Sequence, residues 1–163
     1  MVKKVAFLGC GSWGAALSTI LTEKSIKTHF WHRDNKIIQQ MEKTRRHYLL
    51  PSIVFSDSVK FFSDLDSAIE GIDSVVIAVP SQSVRDVILA AQKKIRKLKC
   101  IINIAKGIEN NSLLTMSGVI DDVLKIKANI VTLSGPSHAE EVIDKKPTAI
   151  VSSSKNLTLA KYV

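Results

Sequence analysis

Residues Gly9-Cys10-Gly11-Ser12-Trp13-Gly14 complete a G-x-G-x-x-G turn directly behind the apolar run Val5-Ala6-Phe7-Leu8. The turn opens a helical pattern whose apolar face reads as Trp13, Ala16, Leu17, Ile20 and Leu21. Strand, glycine turn and helix in that order make a cradle for a dinucleotide. Gly9 permits the sharp turn, Gly11 lets a pyrophosphate approach the backbone, and Gly14 lets the helix lie close on the sheet. The N–H groups of the first helical turn then face the phosphates, where the helix dipole favours negative charge. A plain glycine-rich connection is the competing reading, and the flanking strand and helix argue against it.

The residue ending the second strand of such a unit, about twenty positions past the glycines, reaches the adenosine ribose. Here His32-Arg33 hold that place. A carboxylate there would accept from the ribose 2′-hydroxyl and select NADH, whereas a cation pairs with a 2′-phosphate. Asp34 follows one position late, where it is expected to cap the next helix. These residues point to NADPH, with NADH left open.

Three further motifs follow later strands, where ligands of open α/β sheets bind. They are Val79-Pro80-Ser81-Gln82, Ala105-Lys106-Gly107 and Leu133-Ser134-Gly135-Pro136-Ser137-His138-Ala139-Glu140-Glu141-Val142. Lys106 offers a fixed positive charge to a phosphate or a developing oxyanion, against the alternative of a solvated lysine in a turn. Ser137 to Glu140 has the S-x-x-E form of a capping box, and the free N–H groups after Gly135 also suit an anion.

The elements that position these residues alternate along the chain. Lys27 to Trp31 reads as a strand, Lys36 to Glu42 as a helix, and Arg45 to Pro51 as a loop. Val59 to Phe62 reads as a short strand, and Leu65 to Glu70 as a helical turn ended by Gly71. Asp73 to Val79 is almost continuously β-branched, as a strand buried on both faces should be, and is assigned to the sheet centre. Val84, Val87, Ile88, Ala91, Ile95 and Leu98 mark the inner face of the next helix. Strands follow at Cys100 to Ile104, Ile130 to Leu133 and Ala149 to Ser152, with a helical stripe from Met116 to Leu124 and a helix beginning within Lys155 to Val163. The expected class is α/β, a Rossmann-like, doubly wound, mostly parallel sheet with helices on both faces.

The 163 residues suit one domain, read as an NAD(P)-binding unit over 1–163. Neither a membrane-spanning stretch nor a signal peptide is legible, so the cytoplasm is the expected compartment. Two cysteines at opposite edges of the expected sheet and four scattered histidines give no disulfide and no metal-ligand spacing. The net charge of +8 raises a nucleic-acid reading. Its densest run, Lys93-Lys94 to Lys99, falls at a helix end without interleaved aromatics, which favours a solvated helix terminus. The excess charge suits a phosphorylated ligand.

In order, Gly9 to Leu17, Phe30-Trp31-His32-Arg33-Asp34, Val79 to Gln82, Lys106-Gly107-Ile108-Glu109, Leu133 to Val142 and Pro147-Thr148-Ala149 closely resemble the bacterial-type NAD(P)-dependent glycerol-3-phosphate dehydrogenases. The resemblance covers nearly the whole chain. It implies reversible reduction of dihydroxyacetone phosphate to sn-glycerol 3-phosphate, a phospholipid precursor. Carried onto matching positions, it puts Ser12, Trp13, His32, Arg33, Lys106 and Ala139 at the dinucleotide, and Lys106, Gly135 and Ser137 at the phosphorylated substrate.

Several positions depart from the family pattern. Ser25 replaces a common glycine, Arg46 to Ser52 is a distorted tyrosine-leucine-proline-glycine loop, Gly118 stands where an acidic residue is usual, and His138 where an aromatic is common. The family's catalytic lysine belongs to a helical C-terminal domain, expected beyond Val163, so this portion is expected to bind cofactor without turnover. Oligomeric state is open, a homodimer of the whole enzyme being one arrangement. Two other readings compete: the cofactor domain of a dehydrogenase for another hydroxy or keto acid, and a non-enzymatic nucleotide-sensing or nucleic-acid-binding module. Lys106 with Gly135-Pro136-Ser137 favours the phosphorylated substrate.

Overall fold

Two alternating sets of apolar side chains build the core. In β1 (Lys4–Leu8), Val5 and Phe7 enter one hydrophobic cluster and Ala6 and Leu8 the other, and all four are buried. A strand covered on both faces must read as a continuous apolar run, which is what the sequence shows. The computed structural model describes residues 3–125 and 128–163.

After β1 come α1 (Ser12–Glu23), β2 (Lys27–Trp31), α2 (Asn35–Thr44), β3 (Lys60–Phe62), α3 (Leu65–Ile69) and β4 (Ser74–Ile77). A short 3-10 turn (Ser81–Ser83) then leads to α4 (Val84–Ile95), β5 (Cys100–Asn103), α5 (Met116–Leu124), β6 (Ile130–Ser134), α6 (Ala139–Ile143), β7 (Val151–Ser153) and α7 (Leu157–Tyr162). Among the described residues the sheet has seven strands in the order β3-β2-β1-β4-β5-β6-β7. All pairs are parallel except β6 with β7. The β-branched strand β4 is therefore central, as its composition requires.

Helices α1, α2, α6 and α7 contribute to the cluster on one face of the sheet, and α3, α4 and α5 to the other. Beneath the first face Phe7 stacks on Phe30 at 4.9 Å, and Phe55 and Phe61 close the group at 5.2 Å. Burying each such ring contributes about 2–3 kcal/mol. The strand order reverses between β1 and β4, which places the crevice of a doubly wound sheet at their carboxyl ends.

Three local expectations change. Helix α1 turns Gly14, Ala15, Ala16 and Ser18 inward and leaves Ile20 exposed, because close seating on the sheet favours its small residues over its large ones. The last strand spans Val151–Ser153 rather than Ala149 to Ser152. The capping box at Ser137 to Glu140 does not form: His138 is the N-cap of α6, without a side-chain cap bond, and Ser137 Oγ donates instead to the Gly135 carbonyl at 3.3 Å. By contrast, Asp34 caps α2 as expected, accepting from Lys36 N–H at 2.8 Å.

Both cysteines are free and buried, Cys10 just past the carboxyl end of β1 and Cys100 at the start of β5. The basic run behind α4 finds protein partners: Lys94 donates to the Asp66 carbonyl at 3.0 Å, Arg96 to the Leu124 carbonyl at 2.8 Å, and Lys99 sits 4.0 Å from the Tyr162 ring centroid.

Candidate functional site

The glycine turn lies where the sheet's crevice opens. Gly9 has φ +112°, and a Cβ there would stand 2.5 Å from the Ala78 carbonyl oxygen, so both conformation and space require glycine. Gly14 brings α1 onto the end of β4, where a Cβ would meet that of Ala78 at 3.0 Å. The first helical hydrogen bond runs from Ala15 N–H to the Gly11 carbonyl at 3.0 Å. The N–H groups of Ser12, Trp13 and Gly14 precede it and are free of helical partners.

Two clefts meet at this turn and share Gly11, Ala78, Val79 and Pro80. The first, about 440 Å³, includes Gly9, Trp31, His32, Arg33, Tyr48 and Asp86 in its lining. His32 Nδ1 accepts from Asp34 N–H at 3.0 Å, so the neutral ring carries its proton on Nε2. Arg33 is exposed at the rim, and Asp34 is committed to its helix cap. The position that would select a ribose hydroxyl thus presents no free carboxylate.

The second cleft, about 310 Å³, is lined by Trp13, Gly14, Ile104, Ala105, Lys106 and Ser137 besides the shared residues. Lys106 Nζ donates to the Gly135 carbonyl at 3.0 Å and to Ser137 Oγ at 3.5 Å. Residues about thirty positions apart in sequence therefore form one cluster. Trp13 Nε1 is buried without a hydrogen-bond partner among the described residues.

Two side chains hold the Lys106 loop. Gln82 donates to the Ile108 carbonyl at 2.9 Å and accepts from Asn110 N–H at 3.1 Å. Arg85 forks onto Glu109 at 2.9 and 2.8 Å and reaches Asp122 at 2.6 Å. Through these donors, together with Ser112, the Glu109 carboxyl is held down at about 2. The Val79 to Gln82 and Lys106 to Glu109 motifs are thus two sides of one clasp.

Among the residues assigned from sequence, Gly9, Gly11, Trp13, Gly14, His32, Arg33, Lys106 and Ser137 line the paired clefts. Ser12 begins α1 between them. Gly135 joins through Lys106, whereas Ala139 is buried in the core and lines neither cleft. Two residues of this neighbourhood were not singled out. Tyr48 lines the first cleft 6.0 Å from the His32 ring, and His47 behind it is 1% exposed. A buried, hydrogen-bonded histidine in a basic loop leaves no periodic signal, and only the pairing of that loop with the glycine turn discloses it. A larger cavity, about 830 Å³, includes Ser117, Asp121, Asn129, Ser154 and Lys155 in its lining and does not include the glycine turn.

Residues 4–160 match the family model for the NAD-dependent glycerol-3-phosphate dehydrogenase N-terminus. The chain is 38% identical to the glycerol-3-phosphate dehydrogenase [NAD(P)+] of Bacillus pumilus and 41% to that of Bacillus velezensis, in each case over 99% of this chain and 48% of the relative. It thus spans about half the length of these curated relatives. The crystal structure of the Coxiella burnetii glycerol-3-phosphate dehydrogenase superposes with a TM-score of 0.91 at 30% identity, covering 99% of this chain and 49% of that one. A Dunaliella salina structure shares the fold at 19% identity and a TM-score of 0.78. The chain belongs to the NAD-dependent glycerol-3-phosphate dehydrogenase family, in which it corresponds to the N-terminal domain.

Proposed function

We propose that this chain is the dinucleotide-binding portion of an enzyme that interconverts dihydroxyacetone phosphate and glycerol 3-phosphate with NADPH or NADH. The observation that carries this reading is that Lys106, held by the Gly135 carbonyl and Ser137, shares one cleft with Gly11 and Gly14 of the glycine turn. The residues fit the cofactor: Gly9 and Gly14 let the turn and the start of α1 seat against Ala78, where a Cβ would stand at 2.5 and 3.0 Å, and the first N–H groups of α1 have no helical partner to compete with phosphates. When bound, the nicotinamide supplies or accepts the hydride.

The chain's own residues bind and orient. His32 and Arg33 flank the adenosine side, where the guanidinium pairs with a 2′-phosphate. Ser12 and Trp13 hold the dinucleotide over the start of α1. Lys106 places one positive charge between cofactor and substrate, stabilising the substrate phosphate or the oxygen that gains charge as the carbonyl is reduced. Gly135 and Ser137 fix that ammonium and contact the substrate. The proton donor is assigned to the length of the family that this chain does not span. Residues 1–163 are proposed to act as one cofactor domain, in the cytoplasm, on a small phosphorylated substrate. Among the described residues no helix is long and apolar enough to cross a membrane.

The test is to melt the purified chain with and without NADPH. A ligand at a hundredfold excess over Kd stabilises the folded state by about 2.7 kcal/mol. At about 2–4 °C for each kcal/mol in a domain of this size, the expected rise is roughly 5–11 °C. Absence of a shift with either dinucleotide would overturn the reading, and oxidation of NADPH by dihydroxyacetone phosphate on this chain alone would overturn the assignment of the proton donor elsewhere.

A further inference from the structure

The loop between α2 and β3 is tied to the glycine turn by one side chain. His47 is buried at 1% exposure, its Nε2 lies 2.8 Å from the Cys10 carbonyl oxygen, and its Nδ1 accepts from Leu50 N–H at 3.1 Å. An N–H and a C=O on opposite sides of the ring dictate one state, the neutral imidazole protonated on Nε2. The loop closes around it: His47 N–H donates to Ile53 at 3.1 Å, Ile53 N–H to Leu50 at 2.9 Å, and Phe55 N–H to Arg45 at 2.8 Å. The His47 ring lies 4.9 Å from that of Tyr48, which lines the 440 Å³ cleft.

The carbonyl that His47 holds shares its peptide unit with the Gly11 N–H, which donates to no backbone acceptor among the described residues. A hydrogen bond to a peptide carbonyl fixes the plane of that peptide and strengthens its N–H as a donor. One side chain therefore sets both an amide of the phosphate cradle and the aromatic residue on the adenosine side.

We propose that His47 is a positioning residue for dinucleotide binding, a neutral latch that joins the Tyr48 loop to the Cys10–Gly11 peptide and opens when the ring takes a second proton. Protonation converts Nδ1 from acceptor to donor, leaving two N–H groups facing each other inside the loop and a buried charge. Among the described residues no counter-charge compensates: the Cys10 thiol is neutral, pushed up to about 12 by burial, and the Tyr48 hydroxyl is raised the same way. Arg45 is engaged by the Ser56 and Val59 carbonyls and Arg46 by the Pro51 carbonyl, and no ion pair of the described residues includes His47. Burial accordingly holds the His47 ring below its usual range.

The inference rests on the proposed cofactor reading, and the experiment separates the two. NADH affinity is measured by titration from pH 7.5 to pH 5.0 for the wild-type chain and for His47→Gln, which keeps a donor of similar reach but cannot titrate. NADH lacks the 2′-phosphate, and His32 is present in both proteins, so the difference between the profiles belongs to His47. Wild-type affinity is expected to fall roughly 3- to 30-fold over this range, the linkage for a histidine near or below its ordinary pKa, against a change within about twofold for the variant. In parallel, the ring nitrogens of His47 are followed by NMR, where the neutral form protonated on Nε2 is expected at pH 7.5. Parallel profiles, or a ring protonated on Nδ1, would overturn the latch while leaving the cofactor reading intact. No NADH binding at any pH would overturn both, with the ring resonances still reporting whether the latch forms.

Discussion

Arg85 grips both carboxylate oxygens of Glu109, at 2.9 and 2.8 Å, across 24 residues of sequence. That fork joins the start of α4 to the loop that carries Lys106, so the charge facing the second cleft is held by an ion pair outside it. Depressed in the fold from 4.5 to about 2, the Glu109 carboxyl binds fewer protons folded than unfolded. Its contribution is therefore complete above about pH 4.5 and is lost as the pH falls towards 2.

Glu109→Gln is accordingly expected to lower the melting temperature at pH 7 and to lose most of that deficit near pH 2.5, where the wild-type pair is weakening too. Thermal unfolding at both pH values checks it. A deficit of constant size would assign the effect to packing rather than ionisation.

Arg33→Ala is expected to weaken NADPH binding by about 10- to 150-fold, the equivalent of a charge-assisted hydrogen bond of roughly 1.5–3 kcal/mol. NADH should suffer less, because it has no 2′-phosphate for the guanidinium to pair with. Titration with both dinucleotides decides it, and equal losses would leave stacking on adenine as the role of Arg33.

Lys106→Ala should act on turnover and on substrate binding together. In an enzyme of full family length carrying this half, kcat is expected to fall and the KM for dihydroxyacetone phosphate to rise, since ground-state attraction and transition-state charge are both removed. Steady-state kinetics would show it. Unchanged constants would make the contacts of Lys106 with Gly135 and Ser137 a purely structural clasp.

Ser25 occupies φ +59° at the turn between α1 and β2. A left-handed backbone costs a residue with a Cβ about 1–2 kcal/mol, partly offset by the greater freedom glycine has when unfolded. Ser25→Gly is expected to raise stability by about 0.5–1 kcal/mol, equivalent to roughly 1–4 °C. A melting curve unchanged or lowered would mean that the Ser25 side chain compensates in a way its backbone does not disclose.

The sequence by itself determined the alternation of strands and helices and the central place of β4. Glycine spacing, β-branched runs and three-and-four periodicity are local signals, and the physics that reads them acts within one element. It also marked most of the residues that line the two clefts at the glycine turn, because the G-x-G-x-x-G spacing and the motifs behind later strands are local signals. The tertiary structure decided how those residues connect. It turned Ser137 from a helix cap into a partner of Lys106 and sent Ile20 outward so that small residues could seat α1 on the sheet. It also paired Arg85 with Glu109 and buried His47 against the Cys10 carbonyl 37 residues away. Each of these depends on which loops the sheet order brings together, and no local pattern encodes a contact whose two halves lie on different crossovers.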